Sequence, residues 1–164
     1  MKSRNRAALS YCFSVLCLCG LSGALADGSV IARLARLQHV RSLRCTYDVE
    51  AQTAYMPQGR RFTTDHDTIV VVYDDIDLQR GTARVIYLKG IAPGAGDVSV
   101  RWNGNALWFT EATESTAAVS NAVMTTVFAT YARGTEDFIA LDSRQSLAAI
   151  VTGSMASGTC TELH

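Results

Sequence analysis

Two cysteines in the body of the chain, Cys45 and Cys160, constrain its fold more than any other feature. They lie about 115 residues apart, and the second stands four residues from the last, His164. The other three cysteines, Cys12, Cys17 and Cys19, fall in a leader-like segment with basic Lys2, Arg4 and Arg6, an apolar run from Ala7, and a small-residue site at Ala24, Leu25 and Ala26. That pattern predicts an export signal over residues 1–26, a mature chain from Asp27, and a periplasmic or secreted destination. Leu16 and Leu18 precede Cys17 and Cys19 where a lipid-modified cysteine wants a small residue, so an acyl anchor is not expected. An even pair of cysteines in an oxidising compartment reads as a disulfide between Cys45 and Cys160. Closing so long a loop removes unfolded-chain entropy worth roughly 4 to 5 kcal/mol and pins a terminus that would otherwise fray.

Residues 27–164 suffice for a single β domain and contain no linker that would divide them. Val30, Ile31, Leu34 and Leu37 are spaced for one apolar face of a short helix, with Ser29 as its expected N-cap and Arg33 and Arg36 off the stripe. Such a helix is expected to pack across an opening or edge of β structure. From Leu43 the period becomes two: Leu43, Cys45, Tyr47 and Val49 alternate with Arg44, Thr46, Asp48 and Glu50, which predicts a strand with Cys45 on its core side. Residues 56–67 read as a connection broken by Pro57 and Gly59.

Strands are expected at about 68–74, where the run Ile69–Tyr73 implies burial on both faces for part of its length, and at about 82–89, with Thr82, Arg84 and Tyr87 exposed. Asn103 and Gly104, between Val98–Trp102 and Ala106–Thr110, predict a type I′ hairpin. β-Branched Thr125, Thr126 and Val127 favour strand over helix in 119–132, and apolar runs at 135–143 and 146–153 complete a count of seven or eight strands. The predicted fold is all-β: an antiparallel meander closing into a small barrel, with a sandwich as the other closure, plus a short N-terminal helix.

Of the 15 basic residues three lie in the leader, whereas all 15 acidic ones lie beyond it, so residues 27–164 carry a net charge of about −3. That balance argues against a nucleic-acid partner. No strand-turn-helix glycine fingerprint is present, so no nucleotide cofactor is expected. His39, His66 and His164 are too scattered for a zinc site, and Ser143 lacks the Gly-x-Ser-x-Gly elbow, so no catalytic residue and no metal ligand set is assigned. Asp65, Asp67, Asp75 and Asp77 have the oxygen chemistry for calcium, but read first as charges that solvate a hairpin and blunt its edge.

Trp102, Trp108 and Phe109 flank the predicted hairpin. Adjacent Trp108 and Phe109 must face opposite sides of one strand, so at least one large ring is candidate pocket lining or contact surface. Arg144, set between two apolar runs, must reach solvent or find a carboxylate such as Asp142. These four residues form the candidate ligand-binding set.

The order of N-terminal helix, β meander and late cysteine tied back to an early strand resembles the lipocalin-like small-ligand barrels in architecture. That resemblance implies a closed barrel around a small ligand. The expected role is a non-enzymatic exported binding protein for a small apolar ligand, with no transmembrane segment in the mature chain. The competing expectation is a protein-interaction module, such as a periplasmic inhibitor or an envelope accessory protein, which needs an exposed patch but no cavity.

Overall fold

The computed structural model describes residues 28–64, 67–90, 94–115, 119–147 and 151–164. The expected export signal, residues 1–26, lies outside these, as do Asp65 and His66. Helix α1 (Gly28–His39) precedes nine antiparallel strands: β1 (Leu43–Met56), β2 (Gly59–Thr63), β3 (Thr68–Asp77), β4 (Thr82–Lys89), β5 (Gly94–Trp102), β6 (Ala106–Ser115), β7 (Val119–Tyr131), β8 (Phe138–Leu147) and β9 (Val151–Glu162). From β3 onward each strand pairs with the next, and β9 returns to pair with β1, so the sheet closes on itself. One edge of β1 carries β3 along Leu43–Asp48 and β2 along Gln52–Met56, in registers that differ by a single residue. β2 and β3 therefore act as one interrupted stave. The result is a closed eight-stave barrel in a lipocalin-like meander, and the β1–β9 pairing rules out a sandwich.

Residues 59–63 were expected within a connection. They form β2 because the distal half of β1 runs beyond β3 and would otherwise present unpaired backbone groups along one edge. Only Pro57 and Gln58 are left as the turn.

Cys45 and Cys160 stand directly opposite each other in the β1–β9 register, their Cα atoms 4.0 Å apart, and are joined by a disulfide. Both are fully buried. The segment expected to be a pinned tail is a full strand, paired with β8 on one side and β1 on the other, and the disulfide staples the seam where the barrel closes. Gly158 faces Tyr47 across the same seam, where an added Cβ would lie 2.7 Å from the Tyr47 Cα. The two backbones approach this closely only because position 158 has no side chain.

Alternation sorts the rest. Tyr47, Val71, Val100, Leu107, Phe109 and Phe138 all point inward and are essentially inaccessible, forming a dry core in one half of the barrel. Within the run Ile69–Tyr73 burial on both faces holds for part of its length, with outward-facing Val70 covered and outward-facing Val72 half-buried. The β5–β6 hairpin forms in place, with Trp102 opposite Leu107, but its turn differs from the expected one. Positive φ falls on Gly104 alone (66°), and the Asn103 amide donates to the Ala106 carbonyl at 2.9 Å. A type I′ turn needs positive φ at both central residues. The centre thus lies on Gly104 and Asn105, and Asn103 becomes the closing residue.

α1 crosses the end of the barrel where β7 finishes and β8 begins, burying Leu37 and packing Leu34 on the core. Ile31, expected on the apolar stripe, is 60% exposed, and Ser29 lies within the helix rather than before it. The arginines expected off the stripe face the barrel instead. The Arg33 guanidinium lies 5.0 Å from the centre of the Tyr131 ring, and Arg36 bonds Glu162 (2.7 Å) and the Tyr131 hydroxyl (3.1 Å). The rim offers aromatic faces and carboxylates rather than a flat apolar sheet, so the stems bury while the cations stack and pair.

Candidate functional site

The two ends of the barrel differ because the inward positions change character along each strand. Toward α1 they are apolar. Past the middle the same alternation leads from Phe109 to Glu111 on β6, from Val85 to Tyr87 on β4, from Ala140 to Asp142 and Arg144 on β8, and from Ala156 to Ser154 on β9. Tyr87, Glu111, Arg144 and Ser154, with Gln52 and Asn121, line a cavity of about 770 Å³ at the end opposite the helix, and Asp142 lies just beneath it. Ala54, Met56 and Val123 supply its methyl-bearing wall.

A chain of hydrogen bonds rises from the core into this cavity. Tyr73, stacked on Phe109 with ring centres 4.1 Å apart, donates to Thr125 Oγ1 (2.7 Å), and the Thr125 hydroxyl donates to Asp142 Oδ1 (2.6 Å). Arg144 Nε donates to Asp142 Oδ2 at 2.5 Å. The Arg144 guanidinium lies 5.3 Å from the centre of the Tyr87 ring, and the Tyr87 hydroxyl donates to Glu111. Asp142 is 1% exposed and Arg144 16% by side chain, so this ion pair sits at the boundary between dry core and cavity.

The electrostatics follow from that position. Burial works against the Arg144 cation, but the Asp142 carboxylate more than compensates, so the guanidinium pKa is raised. Burial, reinforced by the Asp142 charge, keeps the Tyr73 phenol neutral well above its ordinary range. Burial and the hydrogen bond to Glu111 do the same for Tyr87. With Nε committed to Asp142, Arg144 Nη2 is buried and has no hydrogen-bond partner.

The structure separates the four expected ligand-binding residues. Arg144 lines the cavity and meets Asp142, the carboxylate named for it from sequence. Phe109 is sealed in the core, Trp102 is half-buried at the helix end, and Trp108 points outward, 41% exposed. Tyr87, expected on an exposed position, points inward because it continues the series Ala83 and Val85. Glu111, Gln52 and Asn121 went unassigned, although counting by two from Phe109 would have brought Glu111 to the inner face.

The described members of the acidic set, Asp67, Asp75 and Asp77, are not grouped to hold an ion. Asp75 takes positive φ (50°) in a bulge, which breaks its alternation with Asp77, and Asp77 Oδ1 instead caps a turn by accepting from the amides of Gln79 (2.9 Å) and Arg80 (3.0 Å). Among the described residues, no three or more metal-ligating side chains are grouped to hold an ion, and no helix is long and apolar enough to cross a membrane.

Fold and cavity together define a small closed β-barrel with a chamber at one end, a form consistent with ligand binding. No protein-family model, no curated protein and no solved structure matches this chain.

Proposed function

We propose that the protein is an exported, non-enzymatic binding protein that takes a small molecule into the open end of its barrel. The observation that carries this reading is the chamber of about 770 Å³, floored by side chains already fixed by hydrogen bonds. Small-molecule sites fall at roughly 300–1,000 Å³ and are largely pre-formed. The lining changes the expected guest from apolar to amphipathic. Ala54, Met56 and Val123 suit hydrocarbon, but Gln52, Glu111, Asn121 and Arg144 would lose water without compensation against a wholly apolar ligand. The buried seam disulfide supports a periplasmic or secreted location, since such bonds persist in oxidising compartments.

The test is native mass spectrometry of protein purified from an oxidising compartment, beside a Ser154→Trp variant that fills the chamber. A small adduct on the wild type, released on denaturation and missing from the variant, is the expected result. Its absence, with no small molecule bound from an extract, would overturn the reading.

One observation favours the alternative of an interaction module. Trp108 and Leu141 align across β6–β8, Met124 and Met155 align across β7–β9, and all four project from the outer wall. A copurifying protein lost on Leu141→Glu but retained by Ser154→Trp would select it.

A further inference from the structure

Resting on the reading of the open end as a ligand chamber, we infer that the ligand is a small amphipathic acid whose carboxylate is held by Arg144. Arg144 lines the chamber, and its Nη2 is a buried side-chain donor that lacks a hydrogen-bond partner among the described residues. Buried donors in folded proteins are nearly always satisfied, so an orphan beside an open cavity marks the place where a guest supplies the acceptor.

The guanidinium is also held still. Asp142 fixes Nε and accepts from the Thr125 hydroxyl, which accepts in turn from Tyr73, and the Tyr87 ring lies against the guanidinium plane with its hydroxyl tied to Glu111. A donor positioned in advance loses little freedom on binding.

The charges around it choose the guest. A ligand cation would meet Arg144 directly and is disfavoured. A phosphate dianion would bring two charges toward a site that already holds the Asp142 and Glu111 carboxylates. A single planar carboxylate matches the remaining edge of the guanidinium and adds one charge only. Arg144 lies on the floor, while Ala54, Met56 and Val123 form wall, so the acid enters head first with its hydrocarbon toward the mouth.

The experiment uses the full mature protein with an uncharged naphthylamine dye as a reporter of the chamber, and octanoate, octanol and octyl phosphate as competitors. Octanoate should displace the dye at a concentration at least tenfold lower than octanol or octyl phosphate. That preference should disappear in Arg144→Lys, which keeps the positive charge beside Asp142 but lacks Nη2, and in the neutral pair Asp142→Asn/Arg144→Gln, which avoids stranding a charge.

Equal competition by octanoate and octanol, tighter binding of octyl phosphate, or an octanoate preference that survives both variants would each overturn the inference while the chamber reading stands. A dye that binds neither the wild type nor Ser154→Trp removes the chamber reading itself.

Discussion

Reducing the Cys45–Cys160 disulfide should cost the protein about 4.8 kcal/mol of stability. Releasing a loop spanning 115 residues returns about 16 cal/mol/K to the unfolded chain. The folded state should lose little in return, because the two cysteines are opposed in a continuous backbone ladder that holds their Cα atoms 4.0 Å apart with or without the bond. The measurement is urea unfolding followed by Trp102 and Trp108 fluorescence, with thiol state verified by mass. At a slope of about 2 kcal/mol/M the midpoint should fall by roughly 2 M on reduction. Both sulfurs are buried at the seam, so the native protein should resist reductant until urea opens it. A midpoint shift below about 0.5 M with both thiols confirmed free would refute the loop-entropy reasoning. Rapid reduction without urea would instead show that the seam opens locally.

Three further outcomes can be checked on the same protein. Gly158→Ala should destabilise by about 1 to 3 kcal/mol in urea titration, because the new methyl meets the β1 backbone at Tyr47 and one of the paired strands must shift. Asp142→Ala should cost about 3 to 5 kcal/mol by stranding a largely buried Arg144 cation and the Thr125 hydroxyl, whereas the paired Asp142→Asn/Arg144→Gln variant should cost at least 2 kcal/mol less. The folded state keeps Tyr47 and Tyr73 protonated above the unfolded value of 10.0, so stability is fully present below that pH and is lost above it. The loss should be about 1.4 kcal/mol per pH unit for each phenol. Ultraviolet titration should show their phenolate signal rising with unfolding and not before it, and stability unchanged from about pH 9 to 12 would contradict this.

The barrel was legible in sequence wherever one physical signal acted alone. The period-two rhythm of Leu43, Cys45 and Tyr47 located β1 and aimed Cys45 inward, the β-branched run Thr125–Val127 located β7, and Asn103 with Gly104 located the hairpin within one residue. The succession of short antiparallel strands left barrel and sandwich both open, and the cysteine pair tied residue 160 to β1 without showing that residues 151–162 form the closing strand. What stayed hidden depends on partners far away in sequence. Gly59–Thr63 has the composition of a loop and becomes strand only because β1 outruns β3. The Gly, Ser and Thr of β9 carry no hydrophobic rhythm, and the pairing on both sides supplies its order. The site was half visible. Arg144 stood out as a charge among apolar neighbours, but Tyr87 and Glu111 look like surface residues until the strands are continued inward. The hairpin tryptophans drew the eye because they are large, and size does not reveal which way a side chain faces.

The seam also decides what an incomplete chain would expose. Pairings from β3 to β9 join consecutive strands and can form as the chain emerges, whereas β1 waits for β9 to complete its second edge. A chain that lacked residues 151–162 would be an open sheet with two unpaired edges, the state in which strands of neighbouring chains find one another. The last dozen residues of sheet thus serve every earlier strand as a safeguard against aggregation, and truncation before them should leave a sticky fragment rather than a shortened barrel.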